Sequence, residues 1–188
     1  MGDGGFAEVF LAEPREGGDP VVVKRLHAHL EHHDESVEMF LTEARVMAEL
    51  SHPNIVQIQH FDQIDGRWSI IMDRVDGPDL ANVFDMAQEL GVAVPLVSAI
   101  RLIAAAAEAL EYAHAAKSQE SGKSLAIIHR DVKPDNILVD WHGNVKVIDF
   151  GCARTTVQSQ LTRPGIRKGT LDYMSPEQCL GRTMDHRT

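Results

Sequence analysis

Residues 129–136 read HRDVKPDN, and a second short motif, DFG, follows at residues 149–151. The apolar segments between these motifs, ILV and VKVI, predict the two strands of a β-hairpin around the turn DWHGN. Such a hairpin places Asn136 just before its first strand and Asp149 just after its second. Because these two strand ends meet in a hairpin, we expect the two side chains to converge.

The residue types in the two motifs suit phosphoryl transfer. Asp131 could orient a hydroxyl and accept its proton, and Lys133 could neutralise a moving phosphate. Asn136 and Asp149 offer the hard oxygen ligands that Mg²⁺ prefers. A lone His-x-Asp also occurs in loops where the aspartate caps a turn, and small-molecule phosphotransferases share the Asp-x-x-x-x-Asn spacing. Both alternatives stay open at this point.

The two motifs together resemble the catalytic and metal-binding loops of eukaryotic-type serine/threonine protein kinases. The resemblance implies an α+β, protein-kinase-like fold of two lobes. The N-lobe and hinge, with an incomplete first strand, would occupy residues 1–77 and contain antiparallel strands and one helix. Residues 78–188 would form a partial, mainly helical C-lobe. The implied cofactors are ATP and Mg²⁺, with Asn136 and Asp149 as the metal ligands.

The resemblance also assigns the nucleotide contacts. Residues 1–9, MGDGGFAEV, resemble the glycine-rich loop whose backbone N–H groups close over phosphates. Lys24 would hold the phosphates, and Glu43, at the border of the buried face of a helix predicted at 36–50, would be its partner. The implied nucleotide-binding residues are Gly2, Gly4, Val9, Val22, Lys24, Glu43, Met72, Asp73, Val75, Asp79 and Leu138.

Further positions of this set have individual roles in the family. Met72 would lie at the back of the nucleotide pocket, and residues 73–75 would form the hinge that contacts adenine. Asp79 matches a position that often contacts ribose, with a helix N-cap as the alternative. The sequence departs from the family pattern at Ala7, where a third glycine is usual, and at Val22, where alanine usually covers the adenine ring.

Residues 152–174 resemble an activation segment. Thr170 resembles the threonine that bonds the catalytic aspartate and lysine of serine/threonine kinases, and Lys133 is also typical of that class. The implied catalytic residues are therefore Asp131, Lys133, Asn136 and Thr170. Thr162 is the first candidate for self-phosphorylation, with an ordinary loop hydroxyl as the alternative.

A long amphipathic helix is predicted at residues 95–116, and a strand at 55–61. The polar stretch KSQESGKS at 117–124 looks like an inserted surface loop. The family pattern continues past the point where this sequence stops. We therefore expect a fragment in which the long helix exposes an apolar stripe.

The composition of the chain limits the classes of partner and the number of domains. With 188 residues, 44% of them hydrophobic and 24% charged, the chain can form one domain with a sizeable core. The net charge of −10 argues against nucleic acid or an anionic membrane as the main partner. Two cysteines form no disulfide framework, and no apolar run reaches membrane-spanning length. We expect a cytoplasmic chain, whose parent protein could carry a membrane anchor elsewhere.

These observations predict transfer of the ATP γ-phosphoryl group to Ser/Thr hydroxyls of protein substrates. The motifs DGPDL at 76–80 and MSPE at 174–177 resemble those of bacterial serine/threonine kinases. One alternative is an inactive fragment or pseudokinase that acts as a binding module. The other, a small-molecule phosphotransferase, is disfavoured by Lys133, Thr170 and residues 175–177, which match peptide-substrate kinases.

Overall fold

The computed structural model describes residues 6–119, 121–150 and 172–187. Its larger sheet contains four antiparallel strands: β1 (Ala7–Ala12), β2 (Val21–Leu26), β3 (Ile58–Ile64) and β4 (Arg67–Asp73). Their order across the sheet is β1–β2–β4–β3. The two central strands are rich in valine and isoleucine, as β-branched side chains favour a pleated, partly buried surface.

One helix, α1 (Asp34–Ala48), contacts this sheet through β3. Its buried residues recur at helical spacing, so one face of the helix turns into the core. They are Phe40, Leu41, Ala44 and Met47. The helix predicted at 36–50 is confirmed, although it begins and ends two residues earlier.

The described residues also contain a short 3-10 helix (Ala28–Leu30), three further α-helices and a hairpin. The helices are α2 (Leu80–Glu89), α3 (Leu96–Ala115) and the short α4 (Pro176–Cys179). The hairpin consists of β5 (Ile137–Val139) and β6 (Val145–Val147), and a single 3-10 turn at Pro134–Asn136 precedes it. The hairpin and the long helix predicted from the sequence are both present.

The prediction of a strand starting at residue 55 was wrong, because β3 begins only at Ile58. Ile55 instead forms a parallel bridge with Val147 of β6, and the Val56 amide donates to the Val147 carbonyl at 3.1 Å. The apolar pattern of this segment therefore reflects burial between the sheet and the hairpin. Ile55 and Val56 are 1% and 2% exposed, which makes the segment part of the core joining the two regions.

The apolar face of α3 is divided between small buried residues and large exposed ones. Ala106, Ala109 and Ala113 are buried and allow close packing on the core. Leu96 and Ile103, in contrast, are 74% and 66% exposed. Among the described residues, the expected apolar stripe is therefore uncovered.

The segment between β4 and α2 is hydrogen-bonded to the hairpin. The Val139 amide donates to the Pro78 carbonyl at 2.9 Å, and the Trp141 amide donates to the Asp76 carbonyl at 3.2 Å. At Gly77 a Cβ would lie 1.9 Å from the Val139 carbonyl oxygen, so only glycine fits this close approach. The proposed lobe boundary after residue 77 falls in this segment and stays a prediction.

A single buried cluster links the sheet, α1, α3 and the hairpin. Its largest members include Leu26, Phe40, Ile70, Ile127 and Phe150, none more than 2% exposed. Within the described ranges, no helix has the length and apolar character needed to cross a bilayer.

Candidate active site

The loop before β5 brings three of the predicted catalytic residues together. The Lys133 Nζ atom lies 3.1 Å from the Asp131 Oδ2 atom. The Asn136 side-chain amide donates to the same Oδ2 atom at 2.9 Å and to the Asp131 carbonyl at 2.8 Å. The 3-10 turn at Pro134–Asn136 makes this possible by folding Asn136 back toward Asp131. Asp131 is thus held by a cation and a carboxamide, and its side chain is 24% exposed.

A buried histidine supports this loop from inside. The Asp131 amide donates to the His129 Nδ1 atom at 3.3 Å, so Nδ1 is an acceptor and Nε2 carries the proton. Nε2 then donates to the Ile148 carbonyl at 2.9 Å, and the ring lies 4.6 Å from that of Phe150. Burial lowers the pKa of His129, although the carboxylates of Asp131 and Asp149 oppose the shift. His129 is therefore a neutral anchor between the two motifs.

Lys24, on the central strand β2, lies between two carboxylates. Its Nζ atom is 2.6 Å from Glu43 Oε1 and 2.8 Å from Asp149 Oδ1. Burial by itself disfavours the charged amine, but Asp149 and Glu43 outweigh it and raise the pKa of Lys24 well above its usual value. The Lys24 charge in turn lowers the pKa of Asp149. The ion pair expected between strand and helix is present, and it includes Asp149 as well.

The two predicted metal ligands lie at adjacent strand ends. The Ile148 amide donates to the Asn136 carbonyl at 3.0 Å, which holds the residues before β5 and after β6 together. Asn136 turns its Nδ2 atom toward Asp131, which leaves its amide oxygen as the donor for a cation. Asp149 adds a carboxylate that is 45% exposed. An amide oxygen and an ionised carboxylate are a donor set that suits Mg²⁺.

Strand register places the predicted nucleotide contacts on one face of the sheet. Val9 is opposite Lys24, and Val22 is opposite Met72. Directly opposed residues in antiparallel strands share a face, and so do residues two apart in one strand. These four side chains therefore form a common surface on the same side as the Lys24 ion pair. The adenine role predicted for them is not tested by this placement.

The hinge residues continue from the end of this surface. The backbone amide of Asp73 already has a hydrogen-bond partner within the protein, since it donates to the Gln57 carbonyl at 3.0 Å. Asp79 is the N-cap of α2 and accepts from the Asn82 amide at 2.7 Å, so the N-cap alternative is what the structure shows. Asp79 also forms an antiparallel bridge with Leu138, which brings both predicted contacts to the same place. Val75, between Asp73 and Asp79, is packed against the core.

Gln178 supports the catalytic loop but is not among the residues predicted from the sequence. It is 4% exposed, and its Nε2 atom donates to the Arg130 carbonyl at 2.6 Å. It also forms a capping box with Ser175 at the start of α4. The spacing Ser-x-x-Gln was the available signal, because it marks a helix N-terminus. Arg130 itself has a φ of 65°, a backbone conformation that is uncommon for non-glycine residues and that this contact supports.

Several predicted site residues lie outside the described residues. They are Gly2, Gly4, Thr162 and Thr170. The same holds for most of the predicted activation segment at 152–174. Their roles stay predictions.

The fold and the arrangement of the charged residues are typical of the protein-kinase class. The family described as "Protein kinase domain" matches residues 1–188, and the chain belongs to this family. The family and fold predictions are thereby confirmed.

Two relatives from Myxococcus xanthus are each 40% identical to this chain over its whole length. They are named tyrosine-protein kinase MasK and serine/threonine-protein kinase Pkn1. A probable serine/threonine-protein kinase PknB of Lactococcus lactis is 38% identical over 96% of the chain. The chain spans 29%, 26% and 27% of the lengths of MasK, Pkn1 and PknB.

Solved structures show the same fold. The PknI kinase domain of Mycobacterium tuberculosis is 28% identical and superposes on all of this chain with a TM-score of 0.67. The match covers 64% of that kinase-domain chain. The likeness therefore supports a partial two-lobe kinase fold for the residues given.

Proposed function

We propose that the protein containing this chain transfers the γ-phosphoryl group of ATP to serine and threonine hydroxyls of proteins. The observation that carries this proposal is the joint presence of two charged clusters on either side of the Asn136–Ile148 hydrogen bond. One cluster is Lys24 with its carboxylate partners, and the other is Asp131 with Lys133 and Asn136. Family membership adds independent support.

Each cluster suits a separate part of the reaction. Lys24, held by Glu43, would bind the α- and β-phosphates. Asp131 would orient the attacking hydroxyl and accept its proton, because its carboxylate is partly exposed next to Lys133. Lys133 would stabilise the charge on the phosphoryl group as it moves. Most of the catalytic gain would come from positioning and charge stabilisation.

Mg²⁺ would be held by Asn136 and Asp149, whose oxygen donors suit it. When bound, the ion supplies positive charge that neutralises the phosphate oxygens. The Lys24 ammonium already balances Asp149 in this structure at 2.8 Å, so the carboxylate is kept ionised and ready for a cation. The acceptor side could use the cavity of about 190 Å³ beside the loop, lined in part by Val132, Tyr173 and Ser175.

The choice of Ser/Thr over Tyr rests on Lys133 and on the predicted role of Thr170. Lys133 lies 3.1 Å from the Asp131 carboxylate, and a lysine two residues after the catalytic aspartate is typical of serine/threonine kinases. The relatives carry both kinds of name, so the acceptor residue is the part of this proposal that most needs measurement. Self-phosphorylation at Thr162 and a cytoplasmic location belong to the same proposal.

The test is phosphoamino-acid analysis after incubation of the full-length protein with labelled Mg-ATP and a basic protein. Label on serine or threonine that is lost in Asp131→Asn supports the proposal. Label on tyrosine would overturn the specificity. If folded protein binds ATP but transfers nothing, the pseudokinase alternative replaces this function.

A further inference from the structure

The polar stretch at 117–124, which the structure describes except for residue 120, is a loop between α3 and the catalytic motif. Lys117 and Ser124 form an antiparallel bridge at its base, and the Ser118 amide donates to the Lys123 carbonyl at 2.9 Å. The Leu125 amide then donates to the Ala116 carbonyl at 3.0 Å, which closes the loop against the end of α3. The base of the loop is therefore held by backbone pairing between its two ends.

The outer part of this loop contacts the end of α1. The backbone amide of Gln119 donates to the Glu49 Oε2 atom at 3.1 Å. Glu49 is the C-cap residue of α1, where the helix dipole disfavours a negative charge. The backbone N–H from the loop offsets this unfavourable placement. The contact gives a physical reason for a glutamate at this position.

A second contact lies beside the first. The Ser51 amide donates to the Tyr112 hydroxyl at 3.2 Å, and the ring of His52 lies 5.0 Å from that of Tyr112. The residues that follow α1 are therefore attached to α3 and to the loop that leaves it. Both attachments cross from the helical region to the segment that ends α1.

We propose that loop 117–124, acting through Glu49, is a positioning element for α1 and for the Lys24–Glu43 ion pair. Glu43 precedes Glu49 by six residues, roughly 9 Å along a helix, so a tilt of the C-terminal end of α1 also moves Glu43. The Lys24–Glu43 distance of 2.6 Å leaves little tolerance for such a movement. The part that concerns ATP rests on the function proposed above.

The test compares three variants of the full-length protein. Glu49→Ala removes the acceptor, and Glu49→Gln keeps an acceptor oxygen at the same place. In the third variant, residues 118–123 are replaced by Asn-Gly, which favours a tight turn between paired strands. Glu108→Ala, at an exposed position of α3, is the control for loss of a negative charge. Amide hydrogen exchange of α1, binding of a fluorescent ATP analogue, and KM and kcat are measured for each.

We expect Glu49→Ala to speed exchange in the last turn of α1 and to raise the KM for ATP about threefold, with a smaller change in kcat. Glu49→Gln should match the wild type. The loop replacement should reproduce Glu49→Ala. A double variant that combines Glu49→Ala with the loop replacement should add nothing further, because both changes remove the same contact.

Unchanged exchange and analogue binding in Glu49→Ala would overturn the inference, and so would fully additive effects in the double variant. If the wild type transfers no phosphoryl group, the proposed function fails by itself. Exchange and analogue binding still decide the role of the loop in that case.

Discussion

At the scale of single residues, Lys24 sets the charge balance of the site. One ammonium faces two carboxylates, so these three groups together carry a net negative charge until a cation or a positive partner approaches Asp149. This arrangement explains how Asp149 stays ionised, since the Lys24 charge lowers its pKa although burial opposes the shift. It also implies that Glu43 matters mainly by fixing the direction in which Lys24 points.

The first prediction concerns Glu43. Glu43→Gln keeps the shape of the side chain but removes the charge, and the ion pair is partly buried, with Glu43 only 11% exposed. We expect kcat/KM for ATP to fall about 10- to 100-fold, the range for losing a charged, shielded hydrogen bond. Steady-state kinetics at varied ATP concentration measures it.

Glu38→Gln is the matched control for this change. Glu38 lies on the same helix, but its side chain is 67% exposed and its pairing with Arg45 is a long 3.5 Å. An exposed pair of this kind contributes little. A loss of the same size in both variants would show that the effect comes from the helix in general and that the Lys24–Glu43 pair has no special role.

At the scale of elements, the segment 74–79 is joined to the hairpin by backbone hydrogen bonds. It brings Asp79 beside Leu138, so two of the predicted nucleotide contacts lie next to each other. The close approach depends on Gly77, which has no room for a side chain. The geometry of the predicted hinge is therefore coupled to that of the hairpin that precedes Asp149.

The second prediction follows from this approach. In Gly77→Ala the added methyl group would lie 1.9 Å from the Val139 carbonyl oxygen, so the backbone must shift. We expect a loss of about 1–3 kcal/mol in the free energy of unfolding, as for overpacked sites. Urea titration measures it. Gly91→Ala is the comparison, since its Cβ meets nothing within 4 Å and it has only the strain of a φ of 65°.

A loss in Gly77→Ala no larger than that in Gly91→Ala would contradict the close approach. Weaker binding of an ATP analogue is a second expected effect in Gly77→Ala alone, because the segment would move away from Leu138.

Element types were easier to predict than their ends. The helix α1 and the hairpin followed from side-chain periodicity, which depends only on local sequence. The start of β3 did not, since Ile55 and Val56 are buried by pairing with β6, a contact between residues far apart in the chain. The Lys24–Glu43 pair was predicted through the family resemblance. Periodicity alone required only that Glu43 find some partner.

Contacts of the backbone with side chains were the least predictable part of the site. Gln178 donates to the Arg130 carbonyl, and the backbone amide of Gln119 donates to Glu49. The Ser-x-x-Gln spacing marks the start of α4, but it does not predict the contact with Arg130, and no pattern predicts the contact with Glu49. Asp79 is a milder case, because its role as an N-cap was one of two readings that the sequence allowed. These contacts depend on how α3, α4 and the loops are placed in three dimensions.

At the scale of the whole molecule, one core joins the sheet to the hairpin and α3, so the charged site lies on a surface built from distant parts of the chain. His129 links the catalytic loop to this core, since its ring contacts Phe150 and its Nε2 atom bonds the Ile148 carbonyl. Protonating this histidine would charge a ring that is 2% exposed, at a cost that the nearby Asp131 and Asp149 carboxylates offset only in part. Global stability and the geometry of the site are therefore expected to decline together on acidification.

The third prediction is the pH dependence of stability. The pKa of His129 is lowered by burial in the folded state, while the unfolded histidine titrates near its ordinary value of about 6.5. Below that pH the unfolded chain binds more protons than the folded chain, so stability is complete above about pH 6.5 and falls as the pH decreases. The slope from one group is at most about 1.4 kcal/mol per pH unit.

Urea titrations at pH 7, 6 and 5.5 measure this slope, and this window avoids Asp149, whose pKa is lowered from an already acidic value. His129→Gln should be less stable than the wild type at pH 7. It should lose less stability on acidification, because it lacks the histidine whose pKa is lowered while the other histidines remain in both proteins. Equal slopes in the two proteins would mean that His129 accepts a proton in the fold as readily as in water, and that its burial does not control acid stability.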